Sequence, residues 1–265
     1  MRISCVQMDM HLGNSQYNFD HAELLVRQAA KEARPDVIVL PETWNVGFFP
    51  EDPAAGADCD GVRTKAVFGA LSKELGVNIV AGSVANRRQD GCYNTAYVFD
   101  RTGACIAEYD KTHLFAPMGE DRRFQKGQYL CLFSLEGRRC GLIICYDIRF
   151  PELTRTMALK GMDLLFVVSQ WPQQRIAHLQ ILSQARAIEN QMFLALCNSC
   201  GTAGRTRYGG RSAVIDPWGA VLAEAGTEEE ILTAEADFSV IEGIRGSINV
   251  FQDRRPELYQ LQQTM

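Results

Sequence analysis

The sequence predicts an α/β fold carrying antiparallel hairpins, on three observations. Apolar runs of strand length alternate with segments whose apolar residues recur at helical spacing. Several of those runs are apolar without interruption, as strands buried on both faces of a parallel sheet are. Two pairs of runs are joined by turn-forming residues.

Residues 3–8 form the first strand. The next segment carries Val26, Ala29, Ala30 and Ala33 on one helical face, with Asn18 or Asp20 as the cap. Residues 36–40 then make a buried strand that stops at Pro41-Glu42. A second unit repeats the plan, with Val67, Ala70, Leu71 and Leu75 on a helical face ahead of a strand over 78–84. Residues 95–99 and 105–109 pair as a hairpin about the turn 100–103 and end at Asp110-Lys111. After a loop with Pro117, Gly119 and Gly127, residues 142–144 are a buried strand stopping at Cys145. Pro151 suits the first turn of a helix that runs to about Lys160. Residues 163–169 are again a buried strand, 175–190 place Ile181, Ala185, Ile188 and Met192 at helical spacing, and 193–197 close that unit. A last hairpin joins 212–216 to 220–225 through Pro217-Trp218-Gly219, and 231–236 supply the final strand.

The stretches ARPDVIVLPE and KGMDLLFVVSQ both pass from a helix end through an aspartate into a buried strand, which suggests two halves related by pseudo-symmetry. With no low-complexity tract or Ser/Gly-rich linker, one domain over residues 1–265 is expected. The polar tail over 245–265 reads as a surface arm or a subunit contact.

At 265 residues, 46% hydrophobic, the chain is long enough to bury a large core. A net charge of -5 leaves no basic footprint, which argues against nucleic acid or an anionic membrane as partner and favours a small molecule. The first apolar segment is too short and polar for a signal peptide, and no apolar run nears the roughly 20 residues of a membrane helix, so a cytoplasmic protein is expected. Nine dispersed cysteines, an odd number, fit reduced thiols better than disulfides.

Three strand ends carry chemistry: Glu42, Lys111 and Cys145. In α/β sheets the crevice beyond the strand C-termini is where ligands bind. Alone, each residue has an ordinary reading: a glutamate after proline is commonly a cap, a lysine a surface charge, and a cysteine in an apolar run a buried small hydrophobe. The context of Cys145 is less ordinary. A strand that ends at cysteine, turns through Tyr146-Asp147 and enters a helix near Pro151 places sulfur by a helix N-terminus, where free N–H groups favour thiolate and suit an oxyanion. An ordinary thiol, with a pKa of about 8.5, is only a few per cent ionised at neutral pH, so a base or a cation is needed beside it.

VLPETWNVGF, YDKTHLF and GLIICYDIRFPEL, in that order, resemble the signature segments of the nitrilase superfamily, the carbon–nitrogen hydrolases, and ARAIENQ and DPWGAVLAEAG resemble its later segments. The resemblance implies a four-layer α-β-β-α sandwich, with Glu42 as base, Lys111 and the Tyr146 backbone N–H holding the oxyanion, and Cys145 as nucleophile. It implies Glu120 as a supporting carboxylate, although Asp121 is adjacent. It implies no cofactor or metal, and a homodimer or larger homo-oligomer. Within the superfamily CYDIRFPEL and HLF look most like the ω-amidase branch, whose members release ammonia from small carboxylic acid ω-amides through a thioester. An N-carbamoyl amino acid or other linear amide hydrolase is the alternative, and a catalytically inactive nitrilase-like binding module is the alternative of another class.

Trp44, Phe48, His113, Arg149 and Trp171 are the candidates for the substrate pocket. Phe49 extends the aromatic cluster after Glu42, which reads as core or pocket wall. His113 reads as structural or supporting. Arg149 either meets a substrate carboxylate or, the preferred reading, pairs with Glu152 to brace the turn after Cys145. Cys197 and Cys200 form a lone C-x-x-C whose place at a strand end favours packing over zinc.

Overall fold

The apolar runs assemble into two sheets of the same plan in the computed structural model, which describes residues 1–48 and 52–259. In the first, β1 (Arg2–Gln7), β2 (Val37–Val39) and β4 (Asn78–Arg88) run parallel at the centre. Antiparallel β15 (Glu230–Glu235) flanks them on one side, β5 (Gly91–Phe99) and β6 (Cys105–Asp110) on the other, and a short β3 (Asp58–Cys59) pairs with the end of β4. In the second sheet β8 (Arg138–Ile144), β9 (Leu164–Ser169) and β10 (Phe193–Asn198) are the parallel centre. They are flanked by antiparallel β7 (Leu132–Leu135) and by β13 (Ala213–Ile215) with β14 (Val221–Glu224). A small ladder, β11 (Thr202–Ala203) with β12 (Thr206–Arg207), lies between β10 and β13 in the chain.

Strand alternation sorts the side chains into layers. Val6, Ile38, Leu40 and Ile79 meet Phe19 and Val26 of α1 (Ser15–Ala33) and Phe68 and Leu71 of α2 (Val62–Leu75) on the outer face of the first sheet. The alternate residues Ile3, Cys5, Val37, Val39 and Val80 join β8, β9 and β10 in a shared core, and α3 (Pro151–Ala158) and α4 (Ile176–Asn190) close the far side with Met157, Leu179 and Ala187. The order of layers is therefore α-β-β-α, as the resemblance implies. A fifth helix, α5 (Val240–Ser247), for which the sequence reading has no element, packs Ile241 into the same core.

The two echoed stretches are equivalent strands, β2 and β9, each central in its sheet. Asp36 N–H donates to Arg2 O and Asp163 N–H to Arg139 O, both at 2.8 Å, and each aspartate takes an arginine, Arg101 or Arg245, on its side chain.

Five expectations are corrected. The cap of α1 is Asn14, whose side chain accepts from Tyr17 N–H. Asn18 lies buried inside that helix, bonded to His11 and to Asn45 O. Ala70 faces solvent and Phe68 takes its place in the core of α2. β5 begins at Gly91, immediately past Gln89-Asp90, so β4 and β5 form the long hairpin that an Asp-Gly pair announces. β7 pairs with β8 across Glu136-Gly137, both at positive φ, a turn the sequence reading omitted. On α4 the buried face is Leu179, Ser183, Arg186, Ala187 and Asn190, while Ile181 and Ile188 are 65% and 50% exposed. Residues 260–265 of the tail lie outside the described residues.

Candidate active site

Each of the three strand ends is held by backbone bonds. Beyond β2, Leu40 N–H donates to Val80 O, and Ser83 N–H donates to Pro41 O. Gly82, at φ +59°, lets Pro41 approach so closely that any Cβ there would overlap the Pro41 carbonyl. Thr43, at φ +40°, turns the chain at once, with its N–H on Ser83 Oγ. The Glu42 carboxylate thereby enters the interior. Its Oε1 accepts from Lys111 Nζ at 2.8 Å and Asn94 Nδ2 at 2.9 Å, and its Oε2 from Gln170 N–H at 2.9 Å.

Lys111 follows β6. Its own N–H donates to Asn94 O, and Gly127, packed against the Asp110 carbonyl where no Cβ fits, donates to Lys111 O. The ammonium meets Glu42 Oε1 and both Glu120 oxygens, at 2.9 and 3.0 Å, with all three side chains fully buried. Glu120 is fixed in turn by Phe115 N–H at 2.6 Å. Burial opposes the charge on Lys111, but Glu120, Glu42 and Cys145 outweigh it and hold the lysine well above its ordinary pKa, so it is a cation. Burial raises the Glu120 carboxyl above its usual range, Lys111 opposes that rise, and Glu42 adds to it.

Cys145 begins a five-residue 3-10 turn, Cys145–Arg149, at φ +49°. Residues with side chains rarely take that conformation, and at functional sites the surrounding structure enforces it. Here Asp147 does so. Fully buried, it accepts from Ile144 N–H, Tyr109 Oη, Thr112 Oγ1 and both the backbone N–H and ring Nδ1 of His113. One carboxylate thus ties the Cys145 turn to the loop after Lys111. The sulfur is not pre-ionised as its place at a turn suggests. Burial, and next the Glu42 charge, push the thiol far above its ordinary value, and Lys111 offsets this only in part. A thiol bonded to a carboxylate, beside a lysine, can deliver sulfur to a carbonyl by proton transfer to the carboxylate in the same step.

The thiol lies at the floor of a cleft of about 310 Å³ walled by Phe48, Phe115, Tyr146, Trp171 and the guanidinium groups of Arg149 and Arg175. Phe48 stands 5.5 Å from Lys111 Nζ. Arg149 lies over the Trp171 ring at 4.9 Å and Arg175 over Phe115 at 5.3 Å. Among the described residues no acidic side chain belongs to these walls.

Residues 2–245 match the family model of the carbon-nitrogen hydrolases. The chain belongs to that family. It is 43% identical over 257 residues to a 2-oxoglutaramate amidase of Bacillus subtilis, covering 97% of this chain and 98% of that one. It is 34% identical over 265 residues to a chloroplastic omega-amidase of Arabidopsis thaliana, covering 92% and 70%. A solved CN-hydrolase superfamily protein of Xanthomonas campestris, with an arsenic adduct in its active site, superposes with a TM-score of 0.90 at 30% identity over 96% of this chain and 97% of that one. As a carbon-nitrogen hydrolase of the nitrilase superfamily, this chain is an enzyme acting on carbon–nitrogen bonds other than peptide bonds.

The remaining pocket candidates of this hydrolase divide. Phe48, Arg149 and Trp171 line the cleft; Trp44 and His113 do not. Trp44 is wedged between Phe19 and Phe68 with its indole N–H on Ala81 O, so it belongs to the helix-facing core. His113 stacks on Phe150 at 3.7 Å and braces Asp147. Arg149 turns to His178 and Trp171, not to Glu152, because the 3-10 turn carries it over the cleft before α3 begins. Tyr146 packs its ring on Phe115 and Phe150, and its N–H follows the sulfur at the start of the turn, where helical N–H groups lack an internal acceptor. Phe49 lies outside the described residues. Cys197 donates toward Val6 O and Val39 O and Cys200 toward Gln7 O, both thiols buried where β10 ends, and all nine cysteines are free.

Sequence reasoning missed Asn94, Asp147, Gln170, Phe115 and Arg175. Asn94 and Asp147 carried a signal, each being a polar residue within or against a buried run. Gln170 acts through its backbone and carries none.

Proposed function

We propose that this hydrolase removes the terminal amide of a small carboxylic acid ω-amide through a Cys145 thioester. One observation carries the reading: a thiol, a carboxylate and a buried ammonium converge beneath a cleft walled in part by two arginines. Glu42 takes the Cys145 proton as sulfur attacks the amide carbon. Lys111 and Tyr146 N–H receive the oxyanion, and Glu120 orients the lysine. The proton passes from Glu42 to the nitrogen, the C–N bond breaks and ammonia leaves. Glu42 then deprotonates a water that attacks the thioester, the C–S bond breaks, and the sulfur recovers its proton as the acid departs. The amidase names of the relatives above support the substrate class.

The far carboxylate of such a substrate has Arg149 as its partner. Arg149→Met is expected to raise KM for 2-oxoglutaramate and succinamate about 10- to 100-fold, the worth of a charge-assisted hydrogen bond, and to leave a neutral amide such as propanamide unaffected. Steady-state ammonia release measures both, and equal losses on the two kinds of amide would remove the arginine from this role. The same cations suit an N-carbamoyl amino acid, which has a carboxylate and a terminal amide. A panel of ω-amides, N-carbamoyl amino acids and nitriles separates the readings by which members release ammonia.

The exposed Ile188 adjoins the β13–β14 turn, where Gly219 packs on it and Trp218 is 57% exposed, and Ile181, two turns earlier on the same helix, is exposed as well. An apolar strip of this kind supports a homo-oligomer, with this face as its contact. Light scattering at micromolar concentration is expected to give at least a dimer, and Ile181→Asp with Ile188→Asp a smaller species; a monomeric wild type overturns it. The core and site shared between the sheets support reading the chain as one domain.

A further inference from the structure

Tyr208 has no part in the chemistry above, yet it packs against residues that wall the same site. Only 1% exposed, it sits just past β12, its backbone bridged to Pro172. Gly209 N–H donates to Trp171 O at 3.0 Å, so the segment is laced to one wall of the cleft. On the other side the Tyr208 ring packs with Phe48, the residue that faces Lys111. Its hydroxyl is buried and has no hydrogen-bond partner among the described residues. Burial, then the charges of Glu42 and Cys145, raise its pKa, which places the phenol within electrostatic reach of both groups and keeps its proton on at neutral pH.

A buried phenol without a partner is destabilising, and such groups persist where function uses them. A neutral phenol both donates and accepts. During thioester hydrolysis the water must stand between the base that deprotonates it and the acyl carbon on sulfur, in the cleft bordered by Phe48, Trp171 and Pro172, the residues against which Tyr208 is held. We propose that Tyr208 is a further residue of the reaction, whose hydroxyl holds the hydrolytic water of the deacylation step. The proposal rests on the thioester reading given above. The water gives one proton to Glu42, its oxygen bonds to the acyl carbon, the C–S bond breaks, and the proton returns to sulfur; Tyr208 orients and exchanges no proton.

The test is Tyr208→Phe in the full chain, which removes one oxygen and keeps the ring against Phe48. With 2-oxoglutaramate as the probe, the deacylation rate constant is expected to fall about tenfold, as for loss of one hydrogen bond to a reacting group. Since kcat/KM reports only the steps through ammonia release, it should hold. Intact-protein mass spectrometry should then show accumulated acyl-enzyme, and hydroxylamine, already nucleophilic without deprotonation, should restore its turnover. The melting temperature should stay level or rise, because an unpaired buried hydroxyl has gone. An unchanged deacylation rate, or a fall in kcat/KM with no acyl-enzyme, overturns the proposal while wild-type turnover leaves the thioester reading standing. A wild type that releases ammonia without ever acylating Cys145 overturns both.

Discussion

Cys145→Ala is expected to lower ammonia release by roughly 10⁴-fold or more while the protein stays folded. Removing the nucleophile of a covalent mechanism leaves only binding and oxyanion stabilisation, and the loss in such enzymes is of that order or larger. The structural cost is small by comparison. Alanine keeps the Cβ that the φ of +49° already tolerates, and the Asp147 bonds that hold the turn involve no atom of the sulfur. The site also explains why activity depends on Glu42 together with Cys145. The buried thiol is protonated at rest, so nothing attacks until the carboxylate accepts its proton. Turnover on an ω-amide panel, read beside circular dichroism, checks both halves. A folded variant that still hydrolyses amides removes Cys145 from the mechanism.

Lys111→Met carries the largest expected loss of stability. Glu42 and Glu120 share this single cation in a fully buried cluster. Stripping one partner from a buried ion pair leaves an uncompensated charge, which costs about 3–5 kcal/mol. The sign with pH follows from linkage. Burial and Glu42 already hold the Glu120 carboxyl above its ordinary range and only Lys111 opposes them, so without the ammonium Glu120 is a raised acid, which contributes stability that is complete below its unfolded value and lost as pH rises through the folded one. The variant should therefore come closest to wild type at about pH 5 and fall behind it towards about pH 8. Urea denaturation at the two pH values measures the difference, and adding Glu120→Gln should recover part of the stability at the higher pH without recovering activity. A pH-independent deficit would mean that lost packing, not unpaired charge, is the cause.

These two expectations draw on residues that were legible long before any packing was known, and the contrast with the rest of the site is instructive. Glu42, Lys111 and Cys145 each close a buried strand, and a strand end in an α/β sheet points toward the ligand crevice whichever helices pack around it. Trp44 and Phe48 are four residues apart in one loop, yet the first turned into the helix-facing core and the second into the cleft. Both are aromatic; the turn between them, closed by the Val46 and Gly47 N–H groups on Thr43 O with Gly47 at φ +74°, separates them. Arg149 and Glu152 stand three residues apart in sequence, which leaves a bracing pair open, but a 3-10 turn intervenes and moves the guanidinium over Trp171.

On α4, periodicity located an apolar stripe but not its direction. Ile181 and Ile188 face outward, while Ser183, Arg186 and Asn190 are buried on the sheet side, where Arg186 donates to Ile148 O and pairs with Glu189. A polar side chain can take a buried position when a distant element supplies its partner, and sequence spacing does not display such partners.

The sequence by itself determined the alternation of strands and helices, the echo that makes β2 and β9 equivalent, and the three residues that converge, because these follow from local periodicity and from where strands stop. The tertiary structure decided the rest. It set the protonation of Cys145, since burial beside Glu42 overrides the pull of a turn's N–H groups. It made Asp147 the tie between two loops, placed Arg149 and Arg175 at the cleft, and left the Tyr208 hydroxyl buried and without a partner among the described residues, in the cluster that holds Phe48. Each of these depends on which distant atoms meet in a low-dielectric interior, and that is a property of packing and not of neighbouring residues.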